Sequence, residues 1–239
     1  MTRVPAPTPN GAALSMRLSR LAALTAEDMQ KVADAEQDLR RSPARRELVG
    51  EGEPIREQRA LLSGWACRQR ILVDGQRQIL SFMLPGDLIG VCQHRNPLTA
   101  TTILAVTELV TCAVPEPREG SELAEAYARS AALEERYLLA QITRLGRLDA
   151  YRRVADWLLE TRDRLALVGL LTGDQFALPV TQEMLADALG LTSVHVNRTL
   201  QALRRDGLLN LHGGMVSLTD RERMERLVDY KPMRVSSDD

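Results

Sequence analysis

The chain has 239 residues, of which 44% are hydrophobic and 3% aromatic, and its formal net charge at pH 7 is −1. This length allows two modest domains, each able to bury a core, and no segment is long and apolar enough to cross a membrane. The N-terminus lacks the charged-then-apolar pattern of a secretion signal, so we expect a cytoplasmic protein with no membrane partner. Because the whole chain is nearly neutral, any contact with nucleic acid must come from local clusters of basic residues.

The N-terminal part predicts a disordered lead followed by two helices. Residues 1–13 are polar and contain three prolines, a composition that cannot build a core. A short helix is predicted from Leu14 to Leu24. Thr25 caps a second helix, with Asp28 at the capping-box position. The residues expected to face inward from this second helix and just after it are Met29, Val32, Ala33 and Leu39.

From Leu48 to Val114 the helical periodicity gives way to short alternating runs broken by glycine and proline, which predicts many short strands. Asp74-Gly75 is a hairpin signal between strands Trp65–Leu72 and Arg77–Leu84. The second strand is expected to place on one face Leu80, Phe82 and Leu84.

The turn Pro85-Gly86-Asp87 leads into a short segment, Leu88-Ile89-Gly90. Two further strands, Thr101–Val106 and Leu109–Val114, are expected to pair with each other. Many short strands with closely spaced turns indicate a small sandwich or barrel.

Three widely spaced cysteines are present: Cys67, Cys92 and Cys112. They form no CxxC motif and no Cys/His cluster, which argues against a disulfide framework and a structural zinc site. We therefore interpret them as buried or half-buried thiols and expect no metal and no cofactor.

Glu119–Leu148 predicts a long helix with an apolar stripe. Leu138, Ile142 and Leu145 follow at i, i+4 and i+7, and the stripe is extended by Tyr127, Ala131 and Leu133. Such a stripe can pack on its own domain or on the same helix of a second copy, although Glu134 makes the pattern imperfect.

The segment Gly146–Asp149 predicts a hinge, since glycine gives a helix local freedom. Asp149 is expected to cap the next helix, Tyr151–Leu167, and Gly169–Phe176 is predicted to be a loop. The residues expected to face inward from that helix are Val154, Trp157, Leu158 and Leu165.

The stretch from Thr181 to Leu218 predicts a helix, a tight turn, a second helix and a two-stranded wing. The first helix ends at Gly190, where a left-handed backbone suits the turn, and Thr192 is a good N-cap for the second. The inward residues are predicted to be Met184, Leu185, Ala188 and Leu189 in the first helix and Val196, Leu200 and Leu203 in the second. The outward residues of the second helix are predicted to be Val194, His195, Asn197, Arg198, Gln201, Arg204 and Arg205.

Gly207 is expected to end the second helix. Short strands then flank His212-Gly213-Gly214, namely Leu208–Leu211 and Met215–Leu218. A capping box at Thr219–Glu222 is predicted to open a last helix that ends near Val228.

Two helices that cross steeply at a glycine-containing turn can place the second in the major groove of DNA while the first rests on the backbone. Arg198 can pair bidentately with guanine, and Val194 can pack on a thymine methyl group. Thr181, Thr192 and Ser193 are short donors suited to phosphate oxygens. Two local basic clusters accompany this arrangement: Arg144, Arg147, Arg152 and Arg153, and His195, Arg198, Arg204 and Arg205.

The segment LADALGLTSVHVNRTLQALRRDGLL, residues 185–209, resembles the DNA-binding domain of the Crp/Fnr family of bacterial transcription regulators. The resemblance extends upstream through LPGDLIG at Leu84–Gly90 and GEGEP at Gly50–Pro54. It implies an α+β fold with an N-terminal β-roll, which is a cyclic-nucleotide-binding-like jelly roll, over residues 14–118. A long dimerisation helix at 119–148 and a C-terminal winged helix-turn-helix domain at 149–239 complete the implied organisation.

The resemblance also implies partners and residue roles. It implies a homodimer on a near-palindromic site in double-stranded DNA, with RNA polymerase as a further partner. Positions that touch the DNA backbone in the family match Thr181, Gln182, Thr192 and His195, and base-reading positions match Ser193, Val194 and Arg198. Asn197 completes the expected DNA-binding set. The best-known members carry Glu where this chain has Val194, so the half-site should differ from theirs.

The effector cannot be read from the sequence, and both an unknown small-molecule effector and the absence of any effector stay open. Cyclic-nucleotide-binding members have a Gly-Glu pair after the turn and then an Arg-Ser segment. Here Gly90 precedes Val91-Cys92-Gln93, the second segment reads Leu98-Thr99-Ala100-Thr101, and Arg95 is displaced, all of which disfavours a cyclic nucleotide. An iron–sulfur cluster usually needs four thiolates, which three scattered cysteines do not supply. Haem bound through His94 or a cysteine stays open, although a histidine in a polar loop is more often simply solvated.

Two other classes of function compete with this interpretation. In the first, the protein is an effector-binding module whose winged domain docks a protein rather than DNA. Strong salt dependence of duplex binding separates the two. In the second, the protein is an enzyme. We expect none, because no paired-carboxylate, Ser/His/Asp or phosphate-loop pattern occurs in a suitable context.

Overall fold

The computed structural model of the protein describes residues 12–90 and 97–234, in which seven helices and eleven strands occur. The helices are α1 (Ala13–Leu21), α2 (Ala26–Ala35), α3 (Glu122–Arg147), α4 (Ala150–Ala166), α5 (Gln182–Leu189), α6 (Ser193–Arg205) and α7 (Arg221–Val228). The strands are β1 (Arg40–Ser42), β2 (Glu47–Val49), β3 (Arg59–Ser63), β4 (Ala66–Ile71), β5 (Arg77–Met83), β6 (Leu88–Ile89), β7 (Thr102–Ala105), β8 (Leu109–Ala113), β9 (Gln175–Ala177), β10 (Leu209–His212) and β11 (Met215–Leu218).

Two four-stranded antiparallel sheets form the N-terminal roll. Their strand orders are β1-β8-β3-β6 and β2-β7-β4-β5. Alternate residues of both sheets point between them and exclude water from a common core. That core contains Leu61, Ala66, Met83, Ile89, Ile103, Ala105 and Leu109.

The hairpin predicted at Asp74-Gly75 joins β4 to β5, and Gly75 has a φ of +83°. A β-bulge shifts the register between these strands, so the side chains do not alternate as a regular strand predicts. Phe82 and Leu84 are buried as expected, but Ile79 is buried where Leu80 was predicted, and Leu80 is only half-buried.

The prediction that the strands now numbered β7 and β8 pair with each other is wrong. β7 pairs with β2 and β4, whereas β8 pairs with β1 and β3. The short connection between them crosses from one sheet of the roll to the other. The backbone N–H of Val106, at the start of this connection, donates to the carbonyl of Trp65 at 2.8 Å.

The first N-terminal helix ends at Leu21 rather than at Leu24, and the second begins at its predicted cap but differs from the prediction in its buried face. The backbone N–H of Asp28 donates to Thr25 Oγ1 at 3.1 Å, and the capping box is complete. Val32 is buried and Ala33 half-buried, but Met29 and Leu39 are exposed. Leu39 misses the core because α2 ends at Ala35, before the chain reaches it. The proline-rich lead lies outside the described residues up to position 11, and Ala13 begins α1.

A second apolar cluster joins α1, the β1-β8-β3-β6 sheet and the first half of α3. It includes Leu14, Leu18, Ala60, Leu62, Val110, Cys112, Leu123, Ala126 and Leu133. The long helix is therefore fixed along one side to the roll. Of the three cysteines, Cys67 and Cys112 are buried thiols as predicted, and burial raises the pKa of each to about 11. Cys92 lies outside the described residues.

Helices α4 to α7 and the sheet β10-β11-β9 form the C-terminal unit. The predicted loop Gly169–Phe176 runs into β9, so the wing has three strands rather than two, with Phe176 opposite Val216. Asp220, not Thr219, caps α7 by accepting from the backbone N–H of Arg223 at 3.0 Å. Thr219 instead donates its hydroxyl to the carbonyl of Gly207 at 2.7 Å.

The core of the C-terminal unit is continuous with the roll. All four residues predicted to face inward from α4 are buried: Val154, Trp157, Leu158 and Leu165. The Trp157 ring meets the Phe82 ring of β5 edge-on at 5.5 Å between centroids, and Trp65 lies against Phe82 at 5.9 Å. The roll and the C-terminal unit therefore share one apolar cluster and are not connected through a linker alone. No helix of the described chain is both long and apolar enough to traverse a bilayer.

Candidate nucleic-acid interface

The candidate interface is built on α5, a tight turn and α6, with both helix starts capped by threonine. The backbone N–H of Met184 donates to Thr181 Oγ1 at 3.1 Å, and that of His195 donates to Thr192 Oγ1 at 3.2 Å. Gly190 takes the left-handed conformation predicted for it, with φ +61°. That conformation ends α5 and lets the chain turn within three residues to start α6 at Ser193.

The second helix has one buried and one exposed face, as its sequence pattern predicts. Val196, Leu200 and Leu203 are buried, while Val194 exposes 64% of its surface. The remaining outward residues are all exposed: His195, Asn197, Arg198, Gln201, Arg204 and Arg205. The polar side of α6 is thus available to a partner and is not packed inside the fold.

Five of the eight predicted site residues meet in one open groove of about 550 Å³ between the starts of α5 and α6. The groove is lined by Gln182, Ser193, Val194, Asn197, Arg198, Gln201 and Arg205. Asn197 Nδ2 donates to Gln182 Oε1 at 3.1 Å, which ties α5 to α6 at this surface. Every residue that lines the groove except Val194 has a polar or charged side chain, which suits contact with hydrated base edges and phosphates.

The other three predicted residues lie outside the groove. Thr181 and Thr192 use their hydroxyl oxygens as helix caps, and each keeps a hydroxyl hydrogen free to donate outward. His195 is exposed on the first turn of α6. All three stand at helix N-termini, where backbone N–H groups and the helix dipole favour an anion.

Sequence reasoning left Gln201 and Arg205 out of the site, although it placed both on the outward face. The sequence contained a pattern that indicates both residues, because Gln201 and Arg205 follow Arg198 at i+3 and i+7 on one side of the helix. A second groove of about 500 Å³ continues from there to the wing, lined by Gln201, Arg204, Arg205, Gly207, Leu209, Asn210 and Thr219.

The charge of this surface comes from three arginines. Within residues 12–90 and 97–234, no carboxylate forms an ion pair with Arg198, Arg204 or Arg205. Nearby arginines are paired, as Arg221 is with Glu225 at 3.2 Å and Arg226 with Glu222 at 3.6 Å. Three uncompensated guanidinium groups on one helix create a local positive field on a chain that is almost neutral as a whole.

The basic cluster predicted around the end of α3 is not a surface cluster. Arg144 is buried and pairs with Asp156 and Glu160, both at 2.7 Å. Arg153 donates to backbone carbonyls, including that of Leu189 at 2.7 Å. Only Arg147 and Arg152 of this cluster face solvent, so the positive surface is concentrated on α6.

The apolar stripe of α3 divides between two sides of the helix. Tyr127 and Leu133 are buried against the chain's own core, and Leu145 is half-buried. Leu138, Leu139 and Ile142 are exposed, Ile142 by 67%. Glu134, which interrupts the pattern, turns toward the roll and pairs with Arg68 at 2.5 Å.

The segment that would bind a cyclic nucleotide is described only in part. Val91, Cys92, Gln93, His94 and Arg95 lie outside the described residues. In the part that follows, Thr99 is buried and donates its hydroxyl to the carbonyl of Thr101 at 2.7 Å. An open groove of about 820 Å³ lies between the edge of the roll and α3, with Arg40, Arg59 and Tyr127 among its walls.

Comparison with known proteins supports the assignment that this geometry favours. A family model of the Crp-like helix-turn-helix domain matches residues 152–227. The chain is 37% identical over 172 residues to the nitrogen fixation regulation protein FixK of Bradyrhizobium diazoefficiens, covering 70% of this chain and 72% of that protein. It is 33% identical over 205 residues to the transcriptional activatory protein AadR of Rhodopseudomonas palustris, covering 84% of each.

The fold has a solved counterpart. The structure of FixK2 from Bradyrhizobium japonicum superimposes with a TM-score of 0.69 at 27% identity, covering 83% of this chain and 98% of that one. The expected α+β architecture of roll, long helix and winged helix-turn-helix is thereby confirmed, and so is the expectation that the protein is a regulator and not an enzyme. The chain belongs to the Crp/Fnr family of DNA-binding transcription regulators.

Proposed function

We propose that two copies of the chain pair through α3 and insert their α6 helices into successive major grooves of a near-palindromic DNA site. The observation that carries this proposal is the outward face of α6, whose three arginines are exposed and have no carboxylate partner among the described residues. A two-fold dimer of this kind requires half-sites about one helical turn, roughly 34–36 Å, apart.

Within each half-site we assign direct base contacts to Ser193, Val194 and Arg198. Arg198 lines the groove and presents the bidentate fork that matches the O6 and N7 acceptors of guanine. Val194 offers only apolar surface, which suits the methyl group of thymine and cannot accept a hydrogen bond from cytosine. The residues assigned to the DNA backbone are Thr181, Gln182, Thr192, His195 and Asn197.

The pairing surface we propose is the exposed stripe Leu138, Leu139 and Ile142 on α3. Neighbouring positions on the same side hold small side chains, Ala128 and Ala131, which are also exposed. Apolar side chains repeated at this spacing bury well against the same stripe of a parallel helix. The other side of α3 is occupied by the roll, so each copy keeps its own core while it pairs.

Membership of the family supports two further partners, RNA polymerase and a small-molecule effector. A regulator that acts on a bacterial chromosome works in the cytoplasm and meets RNA polymerase at its promoters. Any small-molecule effector has room in the open groove between the roll and α3.

No specific observation favours docking of a protein in place of DNA, because Val194 is the one large apolar side chain that α6 exposes. Titration of a labelled duplex at several salt concentrations tests the proposal. Affinity should fall by about a thousandfold or more between about 50 and 200 mM salt, since several phosphate contacts release counterions. Arg204 lines the groove beside the wing, where we expect it to meet a phosphate, so Arg204→Ala should make the log–log slope shallower by about one per copy. Arg226→Ala, on α7, should leave the slope unchanged. Binding with almost no salt dependence would reject the proposal.

A further inference from the structure

The C-terminal end of α5 is held by side chains from three other elements. The last three helical residues of α5, 187–189, each offer a carbonyl that has no partner within the helix. These carbonyls accept, in chain order, from Gln78 Nε2 at 2.8 Å, Gln141 Nε2 at 2.6 Å and Arg153 Nη1 at 2.7 Å. The donors belong to β5 of the roll, to the long helix α3 and to α4, respectively.

A helix end normally meets this need with the backbone that follows it. In α5, that local backbone satisfies the carbonyl of Ala186, which accepts from Leu191 N at 3.1 Å. The next two carbonyls depend on the roll and on α3. Losing Gln78 or Gln141 would leave a partly buried acceptor without its protein partner, which is unfavourable.

An ion pair reinforces the same contact. Arg77 Nη2 of β5 lies 2.6 Å from Asp187 Oδ2, and the two side chains are 27% and 24% exposed. A carboxylate in the last turn of a helix is disfavoured by the helix dipole, so Asp187 does not stabilise α5 by itself. Its favourable interaction is with Arg77, across the boundary between the roll and the C-terminal unit.

The end of α5 is coupled rigidly to the recognition helix. Only Gly190, Leu191 and Thr192 separate α5 from α6. Buried residues of both helices, Leu189 and Leu200 among them, belong to the same apolar cluster. The bond from Asn197 to Gln182 joins the first half of α6 to the start of α5. Whatever fixes α5 relative to the roll therefore also fixes α6.

We propose that Arg77, Gln78 and Gln141, acting on Asp187 and Ala188, form a clamp that sets the position of α6 relative to the roll and α3. We call this set the α5 clamp. In a dimer paired through α3, the α5 clamp determines the separation and angle of the two recognition helices, and so selects the spacing between half-sites. This role rests on the proposed function, but the clamp's residues contact neither bases nor phosphates in it, so they are positioning residues.

The first experiment measures how the full chain tolerates altered spacing. Duplexes carry one half-site, two half-sites at the spacing that the wild type selects, or two half-sites with one or two base pairs inserted. The variant is Gln78→Ala/Gln141→Ala. The matched control is Arg41→Ala, which breaks an exposed ion pair of β1 with Glu108, 2.9 Å long, in the sheet of the roll that does not contain β5.

We expect the wild type and Arg41→Ala to lose about tenfold or more in affinity for each inserted base pair, and the clamp variant about threefold or less. Affinity for the single half-site should stay within about twofold in all three, because the reading face is untouched. An unchanged insertion penalty in the clamp variant would overturn the inference. So would a loss confined to half-site affinity, since the residues would then act on the reading face itself.

A second set of variants uses the ion pair alone. Arg77→Glu and Asp187→Arg should each relax the spacing preference, and Arg77→Glu/Asp187→Arg should restore it, because opposite charges face each other again. Failure of the double variant to recover would contradict a specific contact.

A readout without DNA separates this inference from the proposed function. Hydrogen exchange of amides 186–191 should speed up by about threefold or more in Gln78→Ala/Gln141→Ala, while protection of 196–203 in α6 is kept. Unchanged exchange at 186–191 would refute the clamp even if DNA binding is confirmed. If the wild type binds no duplex specifically, the proposed function is refuted. The hydrogen-exchange measurement then still tests whether the α5 clamp holds the end of α5.

Discussion

Asp87, in the turn between β5 and β6, and Arg164, near the end of α4, form an ion pair buried between the roll and the C-terminal unit. Their Oδ2 and Nη2 atoms are 2.6 Å apart, with the side chains 0% and 5% exposed. Arg17 of α1 lies 3.1 Å from the other carboxylate oxygen. Arg164 also donates to the carbonyl of Phe82 at 3.0 Å and lies over the Tyr137 ring of α3 at 4.6 Å. The N-terminal helix, the roll, the long helix and the DNA-binding unit thus meet at one buried charge cluster.

Removing one partner from this cluster should destabilise the whole chain. Arg164→Ala leaves the buried Asp87 carboxylate with the charge of Arg17 and the backbone N–H of Leu84 but without its nearer guanidinium, and we expect a loss of about 3–5 kcal/mol in the free energy of unfolding. Urea unfolding followed by circular dichroism measures it. The control is Arg41→Ala, whose exposed ion pair with Glu108 is 2.9 Å long and should contribute less than about 1 kcal/mol. Equal effects of the two substitutions would contradict the cluster's structural role.

The same carboxylate makes stability depend on pH. Burial alone would raise the pKa of Asp87, but the charges of Arg164 and Arg17 outweigh it and hold the pKa below its ordinary value of 3.8. Such a group stabilises the folded chain above the ordinary pKa, and the contribution disappears as pH falls below that value and through the lower folded-state pKa. Asp87→Asn should therefore cost stability at pH 7 and progressively less toward pH 3. A difference that grows as pH falls would reverse the sign of this account.

Signals that act within a few residues predicted the two helices that carry the candidate site. Thr181, Gly190 and Thr192 each shape the backbone of their immediate neighbours, so the limits of α5 and α6 follow from sequence to within one residue. Helical spacing likewise identified the buried and exposed faces of α6. The assignment of each exposed residue to bases or phosphates does not follow from spacing, because it depends on the partner.

Features that depend on distant segments could not be read in the same way. The burial of Arg144 requires Asp156 and Glu160, which lie 12 and 16 residues further along and reach it only after the turn between α3 and α4. The position of Leu80 depends on a bulge relative to β4. The partners of β7 and β8 depend on a chain crossing between sheets, whereas proximity in sequence indicated a hairpin.

Pairing of two copies should depend on the exposed stripe of α3. Ile142→Glu places an uncompensated carboxylate where the two helices meet, and we expect the dimer dissociation constant to rise by about 100-fold or more. Sedimentation equilibrium measures this. Arg147→Glu places a carboxylate at an exposed position of the same helix that is not three or four residues from any member of the stripe, and it should change the constant by less than about threefold. If both substitutions weaken the dimer equally, the seam lies elsewhere.

The base facing residue 194 should change with its side chain. Val194 has no acceptor, whereas Val194→Glu can accept a hydrogen bond from the exocyclic amine of cytosine. Duplexes selected from a random library by this variant should therefore be enriched in cytosine at one position of each half-site, where the wild type favours thymine. Identical selected sequences for both proteins would place Val194 away from the base edges.

Arg198 is expected to read a guanine in each of two symmetric half-sites, and parallel site selection by the wild type and Arg198→Ala tests this directly. The wild type should enrich a two-fold symmetric sequence with half-sites about 10 base pairs apart and one strongly preferred guanine in each. Arg198→Ala should keep the symmetry and spacing, lose about 1–3 kcal/mol of affinity, and accept any base at that position. Enrichment of no symmetric sequence, or a guanine preference that survives the loss of Arg198, would contradict it.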